Sequence, residues 1–140
     1  MLSQRWRLRF RLLRRWTKHI QRASFTAAIG EAEKSVELSK RQSVPLGNLG
    51  YIYAKAGRQT DAIKVVEELK ERYQKQNADG LEIARVYGGL GEKDQAFVWL
   101  EKEFQSRNQK LPLWLAFGWF DSLRDDPRFK DLLKRMGLPE

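Results

Sequence analysis

Two groups of residues have types and spacings that could do chemistry, and in both cases the chemistry is binding. Asn48, Tyr51 and Lys55 follow one another at steps of three and four residues, and Glu82 and Arg85 at a step of three. Such steps keep side chains on one face of a helix. Asn48 carries a donor and an acceptor that match a peptide backbone, Tyr51 offers a ring for stacking, and Lys55 with Arg85 can hold an acidic side chain or a terminal carboxylate. The second group, Arg7, Arg11, Arg14, Arg15 and Lys18, belongs to a run of eight basic residues within 1–22 that contains no acid. If that run is helical, Leu2, Trp6, Phe10, Leu13, Trp16 or Thr17, and Ile20 form an apolar stripe among the cations. Aromatic residues with arginine suit anionic lipid headgroups, and the charge alone suits phosphates.

Catalysis has far less to draw on. His19, the single histidine, lies among arginines with no neighbouring carboxylate to orient it, and a serine triad would depend on it. The absence of cysteine excludes thiol nucleophiles, disulfides and Cys-type zinc sites, and suits a reducing cytoplasm. Gly88-Gly89-x-Gly91 follows a helical rather than a strand pattern and lacks the trailing Lys-Ser/Thr of a phosphate loop. Asp125 and Asp126 read as a helix start, and with Asp121 they read as solvated positions rather than metal ligands. The expectation is a binding protein, not an enzyme, with no cofactor and no metal.

The elements that must position these residues repeat every 34 residues. Gly57 and Ala62 recur as Gly91 and Ala96, Tyr53 recurs as Tyr87, and Ala28 precedes Ala62 by the same interval. Leu49-Gly50 and Ile83-Ala84 recur as Phe117-Gly118, preceded by Trp114. In the clearest copy a first helix over about 45–56 presents Leu46, Leu49, Tyr53 and Ala56 on one face, and Gly57 ends it. A second helix over about 59–75 presents Ala62, Val65, Val66, Leu69 and Tyr73, with Thr60 and Asp61 near its start. The small residues Gly50, Ala54, Ala62, Ala84, Gly88 and Ala96 let helices approach closely. Asp126-Pro127 predicts the start of a short helix to about 136, with Phe129, Leu132, Leu133 and Met136 on one side and Gly137 at its end.

On the strength of Leu46-x₂-Leu49-Gly50-x₂-Tyr53, Gly57-x₄-Ala62-x₃-Val66, Ile83-Ala84-x₂-Tyr87-x₃-Gly91-x₄-Ala96-x₃-Leu100 and Trp114-x₂-Phe117-Gly118, the sequence resembles the tetratricopeptide repeat family. Its ending, residues 119–139, resembles the C-terminal cap of bacterial repeat domains attached to signalling proteins. The resemblance implies an all-α solenoid of about three antiparallel helix-turn-helix repeats with a C-terminal capping helix. It also implies that the first helices line a concave face touching an extended peptide at Asn48, Tyr51, Lys55, Glu82 and Arg85. Residues 23–140 are expected to form this domain, preceded by the basic segment 1–22.

Charge supports that division: residues 23–140 are almost balanced, with 19 basic against 18 acidic, so the formal +9 belongs to the head. Three readings of the head compete: a first helix docked on a helix over 24–40, an interfacial amphipathic helix, or a phosphate-binding segment. The expected partner is a protein or peptide, an acidic one suiting the cations, with self-association open and a membrane surface or nucleic acid as the runner-up. No apolar run approaches the ~20 residues that cross a bilayer, and no secretory leader is apparent, which points to a cytoplasmic protein. Lys55 and Arg85, off the buried stripe, are expected to be replaceable without loss of stability.

Overall fold

Apolar positions step by three and four along the whole chain, and among the described residues the backbone forms helices and no strand. The computed structural model describes residues 4–140. The side chains of Trp6, Phe10, Leu13, Arg14, Trp16, Thr17, Lys18, Ile20 and Gln21 are outside that description, so the expectations for Arg14 and Lys18 lie outside the described residues. In chain order the elements are α1 (Gln4–Leu38), α2 (Ser43–Lys55), α3 (Gln59–Gln74), α4 (Gly80–Leu90), α5 (Lys93–Gln105), α6 (Leu111–Ala116), a 3₁₀ helix (Gly118–Leu123) and α7 (Pro127–Arg135).

Two helix ends 34 residues apart close in the same way. Gly57 adopts φ 82° and Gly91 φ 75°, a left-handed conformation that glycine reaches without a Cβ penalty. At the first, the Arg58 N–H donates to the Tyr53 carbonyl (2.9 Å); at the second, the Glu92 N–H donates to the Tyr87 carbonyl (3.0 Å). These bonds satisfy carbonyls that a helix terminus leaves open and turn the chain back at once. Consequently α2 packs on α3, and α4 on α5. Thr60 and Asp61 provide no cap: the residue preceding α3 is Arg58, and Asp61 instead accepts from its guanidinium at 2.8 Å.

The centre of the protein is α4, which packs against α2, α3, α5 and the 3₁₀ helix. Leu81, Ile83, Ala84 and Val86 are fully buried there, together with Leu46 on α2, Leu69 on α3 and Leu100 on α5. Close approach depends on small residues: a Cβ at Gly50 would lie 2.7 Å from Val65 Cγ1 and 2.8 Å from Val86 Cγ2. Ala62 and Ala96 are likewise fully buried. Replacing either with leucine is expected to cost about 1–3 kcal/mol, because the added atoms force strain at a tight crossing. Chemical denaturation checks this, and an unchanged midpoint in both variants would refute the 34-residue register.

Two elements differ from expectation. Residues 4–38 form one helix, so the head does not fold back as a separate helix onto residues 24–40. Residues 19–29 contain neither proline nor glycine and include three alanines, so nothing interrupts the helix where the charge pattern changes. Ile29, Ala32 and Val36 bury against the core, and α1 packs on α2. The helix expected around Trp114 is broken: α6 stops at Ala116, Phe117 is extended (φ −82°, ψ 158°), and the 3₁₀ helix follows. Arg124 Nη2 donates to the carbonyls of Leu115 (3.1 Å) and Phe117 (3.2 Å), satisfying groups released by the break.

The last helix starts where the sequence predicts. Asp126 accepts from the Arg128 N–H at 2.9 Å, Pro127 takes the first turn, and Phe129 and Leu132 are buried. Arg128 reaches Asp94 (2.7 Å) and Arg135 reaches Glu101 (2.6 and 2.8 Å), tying α7 to α5. Exposed pairs of this kind contribute about 0–1 kcal/mol, so burial of the apolar side holds α7 in place.

Candidate functional site

The outer face of α2 presents Val44, Asn48, Tyr51 and Lys55 at steps of four, three and four. Val44, Asn48 and Lys55 are exposed and Tyr51 is half-buried. Neither Asn48 nor Lys55 makes a hydrogen bond or ion pair with another described residue. Both therefore keep their donors and acceptors for another molecule. Burial raises the Tyr51 phenol above its usual range, with Asp121 adding to the shift and Arg85 opposing it. The ring lies over Gly89, where a Cβ would stand 2.9 Å from Tyr51 Cδ2.

Glu82 and Arg85 do not join this open face. They are 1% and 3% exposed, because α4 is covered on both sides and every residue from Gly80 to Gly88 is buried. Arg85 Nη2 donates to Glu82 Oε2 at 2.5 Å and to the Val44 carbonyl at 3.2 Å, while its buried Nε has no hydrogen-bond partner among the described residues. The guanidinium carbon lies 5.0 Å from the ring centre of Trp114 and 4.7 Å from that of Trp119, a cation–π arrangement. Desolvation pushes the Glu82 carboxyl up to about 7 against the pull of Arg85. Desolvation also lowers Arg85, with Glu82 opposing. Space for the pair comes from Gly47, where a Cβ would fall 1.8 Å from Glu82 Oε2.

Arg85 thus serves as the floor of a site rather than its rim, joining the first turn of α2 to an aromatic wall. Trp114 and Trp119 are half-buried with ring centres 4.8 Å apart, and Phe117, 45% exposed, lies 4.7 Å from Trp119. The extended residue Phe117 separates the two tryptophans, ending α6 after Trp114 and preceding the 3₁₀ helix that carries Trp119. Trp99 alone of these tryptophans is fully core, with Tyr73 edge-on at 4.9 Å. The wall was not legible as a surface in the sequence, although tryptophan at an outer-helix position was its one available signal. A second buried carboxylate, Glu103, accepts from the Gly80 N–H (2.9 Å) and from Asn108 Nδ2 (2.6 Å). These bonds occupy Glu103 in holding the start of α4.

No family model, curated protein or solved structure matches the chain. The geometry itself therefore has to indicate what the face does. Of the basic head, Arg7, Arg11 and Arg15 are exposed on α1, as is His19. No helix among the described residues is long and apolar enough to cross a membrane.

Proposed function

We propose that the chain is a tetratricopeptide-like helical-repeat module that acts by binding rather than catalysis, as an adaptor or scaffold within the cytoplasm. Its occupant is an extended peptide running along the outer face of α2 and onto the aromatic wall. One observation carries the reading: Asn48 and Lys55, which pair with no other described residue, share a row with half-buried Tyr51, next to half-exposed aromatic rings. Asn48 pairs with the peptide backbone, Lys55 takes an acidic side chain, and Trp114, Phe117 and Trp119 receive an apolar one. Recurrence at 34 residues, with the paired glycine ends at Gly57 and Gly91, supports the repeat assignment.

The test is a peptide library of acidic and aliphatic sequences, titrated against the purified protein. Changing Asn48 and Lys55 together to alanine is expected to weaken the best ligand by roughly 10–100-fold, the loss of one or two charge-assisted or backbone hydrogen bonds. Thermal stability should change by no more than about 0.5 kcal/mol, since both groups are exposed. A variant with Arg7, Arg11 and Arg15 changed to glutamine should bind the same peptide unchanged. If the head variant loses the peptide and the Asn48/Lys55 variant keeps it, the proposal is wrong.

A further inference from the structure

A separate surface on α1 fits a different partner. The helix has 35 residues, about 52 Å at 1.5 Å per residue, whereas α2, on which it packs, has 13 and measures about 20 Å. Much of α1 therefore runs past the helix that covers it. Its buried contacts, Ile29, Ala32 and Val36, all fall in the C-terminal part. No acid occurs before Glu31, and Arg5, Arg7, Arg11, Arg15 and Arg22 are all exposed. So are Leu8 and Leu12, at 58% and 56%.

Helical register sorts these residues. At ~100° per residue, Arg7, Arg11, Arg15 and Arg22 occupy one arc of about 80°. Leu8 and Leu12 lie on the arc beside it, centred roughly a third of a turn from the register of Ile29, Ala32 and Val36. The exposed leucines are therefore not a continuation of the stripe by which α1 joins the core. Like charges at a spacing of four, Arg7 with Arg11 and Arg11 with Arg15, also oppose helix formation in water. An anionic surface would relieve that repulsion, and a lipid interface would also receive the exposed Leu8 and Leu12 beside the cations. A nucleic acid would answer the charge but leave those two leucines without a role.

We infer that residues 4–22 of α1 form a docking helix for an anionic membrane surface, lying in the headgroup region while the rest of the chain remains outside. The test uses the full 140-residue chain and sedimentation with vesicles of phosphatidylcholine alone or mixed equally with phosphatidylglycerol. Binding is expected to the mixed vesicles only, and to weaken as salt rises. Changing Arg7, Arg11, Arg15 and Arg22 to glutamine should lower partitioning at least roughly 100-fold, since each cation near such a surface is worth about fivefold. Changing Leu8 and Leu12 to glutamine preserves the charge and should still lower it about tenfold, two buried leucine side chains being lost from the interface. Duplex DNA serves as the contrasting probe. The inference is overturned if the mixed vesicles are not bound, if both vesicle types bind alike, or if the leucine variant keeps full vesicle binding. Tighter binding to DNA than to mixed vesicles, unaffected by the leucine changes, would transfer the helix to nucleic acid.

Discussion

Arg85→Ala is expected to destabilise the protein by about 3–5 kcal/mol at pH 8, the cost typical of removing one member of a buried ion pair. Three losses coincide. Glu82 loses its counter-ion, the Val44 carbonyl loses a donor, and Trp114 and Trp119 lose the cation packed against their rings. The sequence-based expectation that this arginine is dispensable is thereby corrected, since it depended on exposure that Arg85 does not have. Acid should restore part of the loss. An unpaired buried Glu82 has a folded-state affinity for protons far above its unfolded one, so the folded variant binds a proton that the unfolded chain releases. Its stability therefore rises as pH falls from 8 towards about 5, and falls again as pH rises. Guanidinium titrations at the two pH values measure both effects. A loss below about 1 kcal/mol at pH 8 would mean that the pair is not buried as described.

Gly47→Ala should be nearly as damaging, at about 2–4 kcal/mol, although it adds a single methyl group. A Cβ there would meet Glu82 Oε2 at 1.8 Å, Glu82 Cδ at 2.8 Å and Arg85 Nη2 at 3.0 Å. Overpacking ordinarily costs about 1–3 kcal/mol, and here the displaced atoms belong to the buried Glu82 carboxylate and the Arg85 guanidinium paired with it. Gly30→Ala provides the opposite sign. It lies within α1 with nothing within 4 Å of the added atom, so replacing a helical glycine there should stabilise by about 0.5–1 kcal/mol. Thermal unfolding of the two variants side by side checks the contrast, which fails if Gly47→Ala melts with the parent.

The features that were legible in the sequence are those carried by local rules. The bounds of α3 and α7, and the turns at Gly57 and Gly91, follow from apolar steps, a proline after an aspartate, and a residue without Cβ where φ is positive. The continuity of α1 was not legible because the change from basic to balanced sequence marks no backbone preference; charge alone does not end a helix. The burial of Glu82 and Arg85 was obscured by their type, since charged residues are almost never fully buried unless paired. Their neighbours held the missing signal: Leu81, Ile83, Ala84 and Val86 flank the pair along the chain, and a helix apolar nearly all round is a central one. The aromatic wall depends on the extended conformation of Phe117, which arises from contacts made by Arg124 across the break and from no pattern within the segment.

The order in which helices pack has a kinetic consequence. α1 meets α2, α2 meets α3 and α4, and α4 meets α5, so the largest interfaces join segments close together in the chain. Closing short loops costs little entropy, and chains whose contacts are local cross their folding barrier in microseconds to milliseconds rather than seconds. The α2–α3–α4 trio is the expected nucleus of such a chain, which φ-values for its buried residues would test. A nascent chain leaving the ribosome can complete that trio once residue 90 has emerged, before α7 has emerged. α7, which packs on α5 near the end of this order, is expected to exchange its amide hydrogens faster than α4 at the centre, and hydrogen exchange measures the difference.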